Sequence, residues 1–71
     1  MDKEELFRKI GLNIRNLREE KNLSILEFSD AIGIEYNNLI RIEKGRTNPT
    51  LWTLYKICEA LNIQLKDIVT L

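Results

Sequence analysis

A chain of 71 residues with 11 Lys+Arg, 11 Asp+Glu and no histidine has room for a single domain, residues 1–71, around one small core. Its net charge of zero argues against a general polyanion binder, and its lone cysteine, Cys58, excludes an intrachain disulfide. No stretch is long and apolar enough to span a bilayer and no signal-like apolar run opens the chain, so a cytoplasmic protein is the expectation. With one proline and three glycines, the chain is rich in helix formers, and composition and periodicity together make it all-α.

The first helix is expected over roughly residues 4–20, where Leu6, Ile10, Ile14 and Leu17 recur at helical spacing beside Phe7. Lys21 and Asn22 end it. Ser24 is a good N-cap, and Glu27 three residues later completes a capping-box pattern, with Leu23 as the staple residue. The second helix turns Phe28 and Ile32 inward and stops at Gly33, which can take the left-handed conformation at a helix end. A third helix follows over roughly 35–44 and ends at Gly45. Residues 46–49 form a loop, because Pro49 prevents continuation and Asn48 suits a turn. Thr50 caps a fourth helix whose stripe reads Leu51, Leu54, Cys58 and Leu61. A short fifth helix over Leu65–Val69 completes a compact five-helix chain without repeats, low-complexity tracts or linkers.

Charge is uneven along this order. Residues 1–35 carry −2 and residues 57–71 carry −1, whereas residues 36–56 carry +3, from Arg41, Lys44, Arg46 and Lys56 against Glu43 alone. The third helix lies inside this only basic block. It also holds two adjacent asparagines, which are poor helix filler because their amides compete for the backbone. At about 100° per residue, Leu39 and Ile42 set its inward direction. Asn37 and Lys44 then point outward between Arg41 and Ile40, with Asn38 on one flank and Tyr36 on the other.

The second and third helices are joined only by Gly33, Ile34 and Glu35. So short a turn forces the helix axes to cross steeply. The crossing needs a small residue at the approach (Ser29), a glycine in the turn, and apolar side chains at Phe28, Ile32, Ile34, Leu39 and Ile42, all present within residues 25–44.

With these pieces the chain resembles the phage-repressor/Cro-type (XRE) helix-turn-helix family, over residues 14–69. The stretches that carry the likeness are IRNLREEKNLS (14–24), FSDAIGI (28–34), LIRIEKG (39–45), NPTLWTLYKICEAL (48–61) and LKDI (65–68). The resemblance implies a lambda-repressor-like domain with its helix-turn-helix at 25–44. It implies a sequence-specific transcriptional regulator, a repressor, whose third helix enters the major groove of double-stranded DNA. By position, Tyr36, Asn37 and Arg41 match the family's base-contacting sites, with Asn38 and Ile40 on the same helix as further candidate readers. Asparagine pairs with adenine, arginine with guanine, and an aliphatic group meets a thymine methyl. Lys44, Arg46 and Thr47 match the region that follows the phosphate backbone, and Ser24 is a fourth candidate phosphate contact. Arg18 and Glu43 match a charged pair buried between the first and third helices, which positions the reading helix without touching DNA.

Two residues depart from the family pattern. Ile25, followed by Leu26, stands where a glutamine usually grips a phosphate, and Glu35 replaces the usual serine or threonine cap of the third helix. Both favour a rival reading, a protein-interaction module of the antitoxin or anti-repressor kind that kept the fold and weakened its DNA contact. Trp52 falls where the family carries a polar residue, and is expected to cover the 46–49 loop or else to join a subunit interface. Cys58 is expected to be a packed thiol. One such domain reads about half a turn of DNA, so a homodimer on a palindromic operator is expected. Its interface would use the end of the fourth helix, Leu65 and Ile68 of the fifth, and the tail residues Val69 and Leu71. With no histidine, no second cysteine and no glycine-rich phosphate loop, the sequence offers nothing for an enzyme, a metal site or a cofactor to use, and no small-molecule ligand is evident.

Overall fold

The computed structural model describes residues 1–71 as five helices and no strand: α1 (Lys3–Glu20), α2 (Ile25–Ile32), α3 (Tyr36–Glu43), α4 (Leu51–Leu61) and α5 (Leu65–Val69). Local chemistry sets the helix ends. Asp2 caps α1 by accepting from the Glu5 backbone N–H at 2.8 Å, which starts the helix one residue before the expected stripe. At the start of α2 both bonds of the capping box form, Glu27 N–H to Ser24 Oγ at 3.0 Å and Ser24 N–H to Glu27 Oε1 at 2.9 Å. The Ser24 backbone N–H, then its hydroxyl, hold the Glu27 carboxyl below the ordinary carboxylate range. Thr50 caps α4 through the Thr53 N–H at 3.0 Å. Gly33 ends α2 at φ +83°, with its own N–H and that of Ile34 both donating to the Ser29 carbonyl.

Every helix contributes to a core of ten buried apolar side chains. Ile14, Phe28, Leu39, Ile57 and Ile68 are fully enclosed, and each such burial contributes about 1.5–3 kcal/mol. Ser29 is also enclosed, its hydroxyl satisfied by the Leu26 carbonyl at 3.0 Å, as the tight α2–α3 approach requires. The Cys58 thiol is buried, and loss of solvent followed by the nearby Asp67 charge pushes its pKa up, so it stays a neutral packing group.

The structure corrects two expectations. Leu51 is 70% exposed, and Ile57 takes its place on the inward stripe with Leu54, Cys58 and Leu61. The apolar residues of α4 are numerous enough to support two stripes, and the position of α2 against α4 selects the second. Trp52 is 65% exposed and stacks on Tyr55 with ring centroids 5.6 Å apart. Ile68 belongs to the core, not to an outer surface.

The seam between α1 and α3 is made by backbone approach. A β-carbon on Gly11 would lie 2.3 Å from the Ile42 carbonyl oxygen and 2.6 Å from that of Glu43. One turn earlier on α1, a β-carbon on Gly45 would lie 2.6 Å from the Arg8 backbone, and Gly45 itself sits at φ +71°. At the other end of the chain, the Asn13 side-chain amide donates to the Ile68 and Thr70 carbonyls at 2.7 and 2.9 Å. This ties the end of α5 to α1. No helix is long and apolar enough to cross a membrane.

Candidate nucleic-acid interface

The site is built on α3. Its inward side is fixed by Leu39 and Ile42, both in the core, and by Glu43, which is 8% exposed. The Glu43 carboxylate faces α1, where Arg18 Nε donates to Oε2 at 2.7 Å and Nη2 donates to Oε1 at 3.0 Å. Arg18 Nη1 donates to the Leu23 carbonyl at 2.7 Å, so one guanidinium ties α3 to both α1 and the start of the α2 segment. The hydrogen bonds to Glu43 hold the Arg18 pKa above its ordinary value, against the opposing effect of burial. The sequence-based pairing of Arg18 with Glu43 is thus present as a bidentate, buried ion pair.

With that side locked, the opposite side of α3 is open. Tyr36, Asn37, Arg41 and Lys44 are exposed, and Asn38 and Ile40 are half-buried at the edges. The order around the helix is Tyr36, Ile40, Lys44, Asn37, Arg41, one continuous arc at about 100° per residue. None of Tyr36, Asn37, Arg41 or Lys44 makes a side-chain hydrogen bond or ion pair within the chain. Their amide, guanidinium, ammonium and phenol groups are free to bind outward. Glu35 precedes them as an N-cap with no side-chain capping bond, so the first N–H groups of α3 are left without that partner.

Beyond α3, Arg46 is exposed and Thr47 half-buried, and both border one open cleft with Lys44. Ser24 is exposed at the start of α2, its oxygen already accepting from the Glu27 N–H. Ile25 is half-buried against the core and Leu26 is 57% exposed, so the first turn of α2 presents hydrocarbon and no amide. No group of three or more His, Cys, Asp or Glu side chains gathers to hold a metal.

The residues that sequence reasoning missed lie on α1. Gly11 permits the close seat of α3, and Asn13 clamps α5. Each acts on a partner more than thirty residues away in sequence, so no local spacing announces it.

Comparison with known proteins is consistent with this geometry. A sequence model of the HTH_3 helix-turn-helix family matches residues 14–68. The chain is 38% identical over 61 residues to an uncharacterized HTH-type transcriptional regulator, y4dJ, of Sinorhizobium fredii, covering 86% of this chain and 79% of that protein. It is 38% identical over 60 residues to antitoxin PezA of Streptococcus pneumoniae, covering 84% of this chain but only 38% of the antitoxin. Among solved structures, the restriction-modification controller protein C.AhdI from Aeromonas hydrophila superimposes with a TM-score of 0.85 at 27% identity, covering 87% of this chain and 94% of that one.

Proposed function

The chain belongs to the HTH_3 helix-turn-helix family, which spans residues 14–68, and on that premise we propose that it regulates transcription by reading duplex DNA with the outward arc of α3. One observation carries the reading. The side of α3 bearing Leu39, Ile42 and Glu43 is buried and ion-paired, while Tyr36, Asn37, Arg41 and Lys44 are exposed without partners. In the major groove, Asn37 and Arg41 supply the bidentate geometry that reads adenine and guanine edges, and Ile40 meets a thymine methyl. Tyr36 and Asn38 flank these contacts. Lys44, Arg46, Thr47 and Ser24 follow the phosphates and set the register. No enzymatic step belongs to this reading, and the expected compartment is the cytoplasm.

Two copies act together on a palindromic operator, because one α3 spans too little sequence for selective binding. The pairing surface is the outward side of α4 and α5, where Leu51, Trp52, Tyr55 and Leu65 are exposed side by side along one groove. Val69 and Leu71, also exposed, extend it toward the chain end. Ile68 takes no part.

Selection of bound duplexes from a random library at a stated salt concentration tests the reading. Enrichment of a two-fold symmetric sequence is the expected result, and recovery of no preferred sequence at any salt overturns it.

A second reading, as a protein-interaction module, is favoured by one specific feature. Leu26 is exposed beside half-buried Ile25 at the start of α2, where they put hydrocarbon against a phosphate in the DNA reading. Glu35 adds a carboxylate nearby in sequence. Under this reading the same selection yields only salt-sensitive, sequence-independent binding.

A further inference from the structure

The cations of α1 divide into two groups. Lys9 pairs with Glu5 at 3.8 Å, Arg15 with Glu19 at 3.5 Å and Arg18 with Glu43 at 2.7 Å. Lys3 and Arg8 have no carboxylate within ion-pairing distance, and both are exposed. These two line the open cleft that also contains Lys44, Arg46 and Thr47. In sequence they stand some forty residues from that basic block, inside a region of net negative charge. In space they continue it. The only carboxylate lining the cleft is Glu4, so four cations face it against one anion.

The placement of Arg8 is set by backbone contact. The α1 backbone at Arg8 lies against Gly45, close enough that a β-carbon there would reach within 2.6 Å of the Arg8 Cα and N. One turn further along, Gly11 is seated on the Ile42 and Glu43 carbonyls. The Arg8 stem therefore leaves the backbone beside the very turn that carries Lys44 and Arg46. Four unpaired cations around one cleft repel one another, and a polyanion that enters the cleft relieves that repulsion.

We propose that Lys3 and Arg8 form a second phosphate-contacting segment, which extends the DNA-backbone track from the α3–α4 loop onto the first half of α1. This rests on the DNA-reading function above and adds to it a contact outside the helix-turn-helix. Lys3 and Arg8 touch phosphates only, so they raise affinity on all sequences and add to its salt dependence without altering which sequence is preferred.

The test is a salt titration of duplex binding for the full chain, comparing wild type with Lys3→Gln, Arg8→Gln and the double variant. Arg15→Gln, which removes an exposed α1 cation turned to Glu19, is the control, and circular dichroism confirms that each variant folds. The expected result is a slope of log K against log salt shallower by roughly 0.9 per lost contact, with affinity falling on preferred and random duplexes alike and Arg15→Gln unchanged. Arg8→Lys should restore most of the slope lost in Arg8→Gln. If Lys44→Gln flattens the slope while Lys3→Gln and Arg8→Gln leave it at the wild-type value, the α1 contact is overturned and DNA reading by α3 stands. If wild type binds no duplex, both fall together. If Arg15→Gln lowers the slope as much as Arg8→Gln, the effect is one of overall charge and the contact is likewise overturned.

Discussion

Arg18 and Glu43 meet across the α1–α3 seam through two hydrogen bonds, at 2.7 and 3.0 Å, with both side chains under one-tenth exposed. Charge burial of this kind adds little net stability when both partners are present, but stranding one is costly. Arg18→Met is therefore expected to destabilise the fold by about 3–5 kcal/mol. Part of that loss also reflects the Leu23 carbonyl, which loses its donor. The double variant Arg18→Met with Glu43→Leu should recover a large part of the loss, because no charge is left buried without a partner. Urea melts of both singles and the double measure this, and additive losses would show that the two charges act independently.

Gly11 makes a similar demand by a different means. In an exposed helix interior, alanine in place of glycine stabilises by about 1 kcal/mol. Here the new methyl meets the Ile42 and Glu43 carbonyl oxygens at 2.3 and 2.6 Å, and both are backbone atoms that cannot swing aside. Gly11→Ala is expected to destabilise by about 1–3 kcal/mol, the usual cost of overpacking. It should also lower DNA affinity on every sequence, because α3 must shift to accommodate it. Thermal melts showing a gain in stability would mean that the seam yields more readily than its geometry indicates.

The proposed division of labour around α3 separates two kinds of loss. Asn37→Ala and Arg41→Ala are each expected to cost about 1–3 kcal/mol on the preferred site and to relax preference at one position. Lys44→Ala and Arg46→Ala should weaken all duplexes alike and flatten the salt dependence. None of these four side chains is bonded within the chain, so stability should move by less than about 0.5 kcal/mol. Binding measured on a preferred and a scrambled duplex distinguishes the two classes. Equal losses on both duplexes for all four variants would remove the assignment of readers.

The proposed pairing of two copies depends on the exposed Trp52–Tyr55 stack and on Leu51 beside it. These side chains with Leu65 offer four exposed apolar groups per copy, a small patch beside the roughly 1,600 Å² that a stable protein pair buries. A weak dimer that tightens on DNA follows. Trp52→Ala should weaken self-association by about 1–3 kcal/mol while leaving the monomer's melting temperature nearly unchanged. Sedimentation of the free protein and of its complex gives the answer, and one protomer per duplex on the best selected site would end the proposal.

The sequence alone determined the five helices and most of their ends, because caps and stripes depend on neighbours within four residues along the chain, although the Asp2 cap that starts α1 was not read. Ser24 with Glu27, Gly33 in its left-handed turn and Thr50 at the start of α4 behave as their local chemistry requires. The outward arc of α3 was also legible, since Leu39 and Ile42 fix by periodicity which side must turn away from the core. Which apolar side of α4 is covered was not. Periodicity permits both Leu51 and Ile57 on an inward stripe, and only the packing of the neighbouring helices leaves Leu51 and Trp52 in solvent while enclosing Ile57 and Ile68. The tertiary structure alone decided the role of Gly11, the clamp from Asn13 to the end of α5, and the meeting of Lys3 and Arg8 with Lys44 and Arg46. Local pattern records what a residue does to its own helix. Contacts between residues more than thirty positions apart follow only once the helices are packed in three dimensions, since that packing fixes which backbones touch and which like charges are left facing one opening.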